Sequence, residues 1–328
     1  MEQNFRKTIE DYGLLNKRDR VILGVSGGPD SIFMLHQFLR IKDEYKLQLV
    51  CAHLNHSLRK EADKEEDFVR GVCRDLGVRF ISEKKDVKKL FKGNSLEQTA
   101  RNFRFDFFLK CSRETKIKKL ALAHHKDDLA ETILMKLIRG TGLSGLRGFL
   151  PQSKFKSLTV IRPLIELRKK KITDYLAKEK ITYCIDKSNF QEIFFRNKIR
   201  CRLMPLLEEL NPNITDNLYN LASSVCLDYD FIHTFSYREF QSLRKEEKFG
   251  GLKLDLQGLV KLSPSILNNV LRIAIEEVKG DTRRIESKHL KELRDLILNR
   301  PQTSIVDLPS LLVKKEGKFL CFDTHLHG

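Results

Sequence analysis

The chain has 328 residues, 41% hydrophobic and 32% charged, a length that suggests about two domains at roughly 150 residues each. No stretch approaches the ~18 uninterrupted apolar residues of a membrane span, and the N-terminal MEQNFRKTIEDYGLL lacks the apolar segment of a signal peptide, which argues against a membrane-bound or exported protein. The net charge of +17 is unevenly spread: residues 1–215 hold 44 Lys and Arg against 28 Asp and Glu, residues 216–328 hold 17 against 16, and a basic body of this kind points to a polyanionic partner, most often nucleic acid.

In chain order, VILGV (21–25) reads as a buried strand, SIFMLHQFLRIK (31–42) as a helix, LQLVCAHL (47–54) as a strand and 59–76 as a polar helix. VRFIS (78–82) is the next strand, 95–114 a long helix, KLALAH (119–124) another buried strand, and DDLAETILMKLIRG (127–140) a helix closed by glycine. This alternation predicts an α/β fold with a doubly wound parallel sheet. Phe103, Phe105, Phe107 and Phe108 fit a helix core better than a base-stacking platform. A glycine-rich loop, TGLSGLRGFLPQS, follows, then a short extended segment, 159–164, and helices at 167–180 and 191–210. Asn211-Pro212 is a turn and the predicted domain boundary, giving a catalytic domain over 1–212 and a smaller, mainly helical domain over 213–328. The latter has helices at 213–235, 265–278 and 286–299 and ends in a β-meander turning at Pro309 and Gly317.

Seven cysteines stand at 51, 73, 111, 184, 201, 226 and 321, with no CxxC pair. A disulfide framework is not expected from so sparse and odd a set; they read as small buried hydrophobes in the reducing cytoplasm.

The chemistry starts at Ser26-Gly27-Gly28-Pro29-Asp30-Ser31, between the first strand and its helix. Gly24, Gly27 and Gly28 permit positive φ and close backbone approach. Backbone N–H groups and the helix N-terminus can then cradle a phosphate, and the Ser26 and Ser31 hydroxyls can add donors. Asp30, a carboxylate in an anion site, fits a Mg²⁺ ligand bridging to the phosphates. No GK[ST] follows, so this is not a Walker A loop. SGGxDS after a buried strand resembles the PP-loop of the ATP pyrophosphatase superfamily. That likeness implies an adenine nucleotide α hydrolase-like sheet, ATP as substrate and transfer of AMP to a substrate oxygen.

Further segments appear in order: AHLNHSLR (52–59), LEQTARNFRFDFF (96–108), AHHKDDLAETILMKLIRGTGLSGLRG (123–148), IRPL (161–164) and DKSNFQEIFFRNKIRCRLMPLL (186–207). Together they resemble the tRNA(Ile)-lysidine synthetase family over about residues 20–212. The resemblance implies ligation of free lysine to C2 of the wobble cytidine (position 34) in the CAU anticodon of tRNA(Ile), through an adenylated cytidine, with AMP and diphosphate released. It links the residues matching Arg104 and Arg196 to the charge that develops on the leaving groups; Arg101 and Arg200 are nearby candidates. The incoming lysine must lose a proton, its free pKa being about 10.4. His124, Asp128 and Glu131, spaced to share a face of a helix and its approach, are the candidate acceptors, with Asp128 and Glu131 also suited to hold the lysine or the metal. HHKDD has no neighbouring cysteine or third histidine, which speaks against zinc; Asp127 suits the helix dipole. The run Arg168 to Lys171 reads either as a solvated face or as a phosphate contact, and His53, Asn55, His56 and Arg59 follow the second strand near the expected nucleotide edge.

The competing reading within the superfamily is a tRNA thiolase, which relies on reactive or clustered cysteines. A small-molecule amidotransferase-type synthetase would leave the basic body unexplained, and a non-catalytic RNA-binding module would leave Asp30 and the histidine–acid cluster without a role. The 213–328 region shows no catalytic motif; in the family the corresponding domain helps select the tRNA. Longer members carry a further C-terminal domain for which this sequence has no room, and dimers are common in the family.

Overall fold

The computed structural model describes residues 2–56, 62–86, 96–185, 195–245 and 251–324. The chain divides into two units, Met1–Ser223 and Ser224–Gly328. Asn211-Pro212 is a turn between helices, as expected, but the division itself falls inside the following 30-residue helix, Ile214–Leu243.

The first unit is built on a six-stranded sheet. Its strands are β1 (Arg20–Gly24), β2 (Gln48–Asn55), β3 (Arg79–Lys84), β4 (Lys119–Leu122), β5 (Gln152–Phe155) and β6 (Leu158–Ile161), in the order β3-β2-β1-β4-β6-β5. All neighbours are parallel except the β5–β6 hairpin. The alternation of side chains along each strand feeds two cores. Val21, Leu23 and Cys51 pack with α1 (Glu2–Asp11), α2 (Pro29–Tyr45), α3 (Ala62–Asp75) and α7 (Lys169–Lys178) on one face. Ile22, Val50, Leu120 and Val160 pack with Phe105, Phe107 and Phe108 of α4 (Leu96–Thr115) on the other. Those phenylalanines are therefore core. The doubly wound sheet is confirmed, with an antiparallel edge: part of the segment expected as glycine-rich loop pairs as β5.

Strands β2 and β3 lie to one side of β1, and β4 and β6 to the other. The carboxyl ends of β1 and β4 thus flank a topological switch point, where open α/β sheets leave a crevice for ligands. Helix α5 (Lys126–Ile138) starts at that crevice. A one-turn helix α6 (Leu143–Leu146) follows it. The helix expected over 191–210 is described from Phe195 onward and is not regular. A helical turn α8 (Phe195–Lys198) passes into a π-helical turn, Ile199–Leu203, before α9 (Met204–Leu210) and then α10 (Ile214–Leu243).

The second unit packs α11 (Leu256–Lys261), α12 (Pro264–Lys279), α13 (Ser287–Leu298) and the end of α10 on an antiparallel sheet. The expected meander is β9 (Ile305–Leu308), β10 (Leu311–Glu316) and β11 (Phe319–Thr324). Two short strands that the sequence pattern did not reveal, β7 (Arg244–Lys245) and β8 (Leu252–Asp255), extend it in the order β7-β8-β11-β10-β9.

Candidate active site

Strand β1 ends at Gly24 because nothing larger fits: a Cβ there would lie 2.8 Å from Leu122 Cδ2 and 3.0 Å from Phe108 Cζ. Of the three glycines, only Gly27 uses positive φ, at 91°. Its carbonyl accepts from Cys184 N–H at 2.9 Å, and a Cβ would meet Val69 Cγ2 at 3.2 Å. Gly28 caps α2 in an extended conformation, φ −72°, and Pro29 opens the helix where no N–H is needed. The Ser31 hydroxyl accepts from Ser26 N–H at 3.1 Å and donates to Gly28 O at 3.0 Å; Ser26 Oγ lies 3.2 Å from it. Ser31 thus spends its proton bracing the loop. His53 Nδ1 lies 2.9 Å from Val25 O, and burial holds this imidazole below its ordinary pKa, so the neutral ring donates to the residue that enters the loop. At the start of α2, Pro29 has no N–H to leave unsatisfied and Ile32 N–H donates to Gly28 O at 3.0 Å.

Asp30 stands, half-buried, at the edge of a charged cluster. Burial raises its carboxyl pKa, and Oδ1 has no hydrogen-bond partner among the described residues. Its Oδ2 lies 3.7 Å from Nε2 of His125, the N-cap residue of α5. His125 is only 1% exposed. Its Nδ1 is 3.4 Å from Asp127 Oδ2 and its Nε2 3.4 Å from Asp128 Oδ2. Burial favours the neutral ring, but Asp128, Asp127 and Asp30 outweigh it and raise the pKa to about 9; Nδ1 also lies 3.4 Å from Asp128 N, the capping contact of α5. Asp127 accepts from Lys169 N–H at 2.8 Å, fastening α5 to the start of α7.

Asp128 and Glu131 face Arg196 and Arg200. Arg196 Nε donates to Glu131 Oε2 at 2.8 Å and its Nη2 to Asp128 Oδ1 at 2.9 Å. Arg200 Nε donates to Glu131 Oε1 at 2.6 Å, and its Nη2 reaches Asp128 Oδ1 at 3.2 Å and Glu131 Oε2 at 2.9 Å. Burial alone would raise the Asp128 pKa; His125, Arg196 and Arg200 hold it far below the usual range. Both arginines are raised by the same carboxylates, against burial. Arg200 lies in the π-helical turn, a widening that is frequent at functional sites.

One cavity of about 1040 Å³ gathers these groups. Ser26, Gly28, Pro29, Asp30, Ser31, Arg104, His124, Asp128, Arg196 and Arg200 line it; Gly27 and Glu131 do not. Gly27 acts through its turn. Glu131, whose side chain is 4% exposed, sits behind the two arginines. His124 packs its ring 5.1 Å from that of Phe149, has an unpartnered Nδ1, and is kept neutral by burial. Within the basic run, Lys169 lines the cavity while Arg168 pairs with Asp127, Glu208 and Asp216. His53, Asn55 and His56 line it too; Arg59 lies outside the described residues. His125 was not singled out in the sequence, although its place three residues before Asp128, at the start of a helix, is a capping signal. Among the described residues no group of three or more His, Cys, Asp or Glu could hold a metal by itself. The orphaned Asp30 oxygen beside a phosphate cradle fits Mg²⁺ shared with substrate phosphates, since that ion needs only one or two carboxylates.

Comparison with known proteins identifies the family of both parts of the chain. A family model described as a PP-loop domain matches residues 1–207, and one described as the TilS substrate binding domain matches residues 254–314. The tRNA(Ile)-lysidine synthase of Clostridioides difficile (strain 630) is 32% identical over 306 residues, covering 92% of this chain and 66% of that protein. The tRNA(Ile)-lysidine synthase of Petrotoga mobilis is 36% identical over 249 residues, covering 75% of this chain and 76% of that one. This chain spans just under two thirds of the length of the clostridial relatives it matches. Among solved structures, the U34-tRNA thiolase NcsA of Methanococcus maripaludis aligns with a TM-score of 0.56 at 20% identity, over 68% of this chain and 76% of that one, a likeness of fold alone.

Proposed function

The chain belongs to the tRNA(Ile)-lysidine synthase family, and on that premise we propose that it ligates free lysine to C2 of the wobble cytidine of a CAU-anticodon tRNA(Ile), consuming ATP and releasing AMP and diphosphate. The observation that carries the chemistry is the meeting, in one cavity, of a phosphate loop, an orphaned Asp30 oxygen and two arginines clamped by carboxylates.

Cytosine O2 attacks the α-phosphorus of ATP. The O2–P bond forms, the bond to the β-phosphate oxygen breaks, and diphosphate leaves into the loop between β1 and α2. The adenylated base is then attacked at C2 by the lysine ε-amine. The C–N bond forms, the C2–O2 bond breaks, and AMP departs carrying O2. Both departures place negative charge in the cavity, which Arg196, Arg200, Arg104 and Lys169 line. Asp30 would hold Mg²⁺, which when bound neutralises phosphate charge. Of the three candidate proton acceptors, the geometry favours His124. Asp128 is tied to two guanidiniums and strongly acidic, and Glu131 is behind them, whereas His124 lines the cavity, is neutral and has an Nδ1 without a hydrogen-bond partner among the described residues. It takes the proton once C–N bonding has made the nitrogen acidic. Glu131 serves by aiming the arginines. The unpaired cysteines suit the reducing cytoplasm; the resemblance also implies a homodimer.

The test is to incubate the protein with ATP, labelled lysine and a CAU-anticodon tRNA(Ile). Label should appear on the RNA with AMP and diphosphate in equal amounts, and Asp30→Ala should abolish diphosphate release while tRNA binding persists. AMP release that needs a sulfur donor and leaves no lysine on the RNA would overturn the reading in favour of a thiolase.

A further inference from the structure

Helix α5 carries a second set of charges beyond its catalytic carboxylate. Asp128, Thr132, Lys136 and Arg139 recur at three- and four-residue spacing and share a face. The face that begins at Asp128 therefore continues outward as a basic one, about 12 Å on by Lys136 at ~1.5 Å per residue. Lys136 Nζ donates to Gly148 O at 3.0 Å, fastening the glycine-rich loop and its Arg147 beside the helix. Arg162, buried, donates to Leu150 O at 2.7 Å and Ser153 Oγ at 3.0 Å, and its guanidinium lies 5.3 Å from the ring centre of Phe149, the ring that also packs on His124. Arg101, exposed on α4, reaches the rim of the catalytic cavity.

These cations crowd one another. Burial, Arg147 and Arg101 hold Lys136 below the ordinary lysine value, and burial and Arg101 bring Arg162 down to about 10. Lys136, Arg139 and Arg162 have no carboxylate partner among the described residues; their neighbours are carbonyls, a hydroxyl and aromatic rings. Like charges packed this closely destabilise the fold, and a bound polyanion relieves that repulsion.

We propose that the strip formed by Arg101, Lys136, Arg139 and Arg147 seats the single-stranded RNA backbone next to the nucleotide whose base enters the cavity. This deepens the function proposed above and rests on its RNA substrate. The strip leads to the cavity rim at Arg101, so phosphates held there carry the adjoining nucleotide toward Asp128 and His124.

The experiment uses the full chain and a fluorescent anticodon stem-loop with a CAU anticodon, with affinity followed by anisotropy as KCl is raised from about 50 to about 300 mM. The pair Arg139→Gln with Arg147→Gln should bind about ten-fold more weakly and show a log–log salt slope shallower by about 1 to 2, one unit or somewhat less for each phosphate no longer neutralised. The pair Arg139→Lys with Arg147→Lys keeps the charge and should keep the slope. A glutamine pair with the wild-type affinity and slope overturns the proposal. So does a pair whose ATP affinity falls while RNA binding stays the same, which would assign the strip to nucleotide phosphates. Failure of the lysine reading looks different: wild-type protein would transfer no lysine while the glutamine pair still lost its salt slope.

Discussion

Glu131 illustrates how a residue without access to the cavity can govern what happens inside it. Both its oxygens are taken by Arg196 and Arg200, which also share Asp128 Oδ1. Glu131→Gln keeps the shape and removes the charge, leaving two guanidiniums against one carboxylate. Losing one member of a buried ion-pair cluster costs about 3–5 kcal/mol. Because the arginine side chains are 25% and 26% exposed, water offsets part of this, and a loss of about 2 kcal/mol is expected in denaturant unfolding. The kinetic signature is a fall in kcat with the KM for ATP little changed, since the arginines act on charge that develops in the transition state. A stability loss with kcat intact would make Glu131 a fold residue only. The spacing of His124, Asp128 and Glu131 was legible in the sequence, because a helix brings such positions onto one side. Their partners were not, because Arg196 and Arg200 lie 65 to 72 residues further on and no local pattern pairs them.

At the scale of elements, the loop between β1 and α2 works because three glycines meet three different demands. Gly24 makes room for Leu122 and Phe108, Gly27 turns the chain at φ 91°, and Gly28 is an ordinary extended cap. Gly27→Ala places a side chain in a conformation that costs about 1–3 kcal/mol and presses on Val69. The expected outcome is a lowered unfolding midpoint together with loss of ATP-dependent diphosphate release, because the N–H groups on either side of the turn lose their common aim. Retention of wild-type turnover would show that the loop tolerates another path and that the positive φ is incidental. The strand–glycine–helix signature was readable because strand, turn and helix each follow local rules. The elements that escaped reading break those rules. Strand β5 lies in a segment whose glycines suggested a loop, and its pairing depends on β6 across a tight hairpin. The π-helical turn at Ile199–Leu203 has the composition of any α-helix, and what distinguishes it is its wider backbone hydrogen-bond spacing, which no residue type there announces. Strand β8 is four residues long, too short for its alternation to stand out.

Across the whole molecule, charge and chemistry are confined to the same part of the chain. Every described residue lining the cavity lies between Gly24 and Cys201, inside the first unit and within the basic portion of the sequence. The second unit has its own core and its own polar lock. Lys315, 8% exposed, donates from Nζ to Ile297 O at 3.1 Å and Arg300 O at 2.7 Å, closing the carboxyl end of α13 against β10. Two units with separate cores should respond separately to perturbation. In calorimetry, saturating ATP should raise only the transition that belongs to the first unit; ligand at 100 times its Kd adds about 2.7 kcal/mol to the state that binds it. Lys315→Ala leaves two carbonyls short of a charged donor, each such bond being worth about 1.5–3 kcal/mol, and should lower only the other transition while ATP still raises the first. A single transition that moves with both perturbations would mean that α10, which runs from one unit into the other, couples them into one cooperative body. In that case a substitution in the second unit would weaken ATP binding as well.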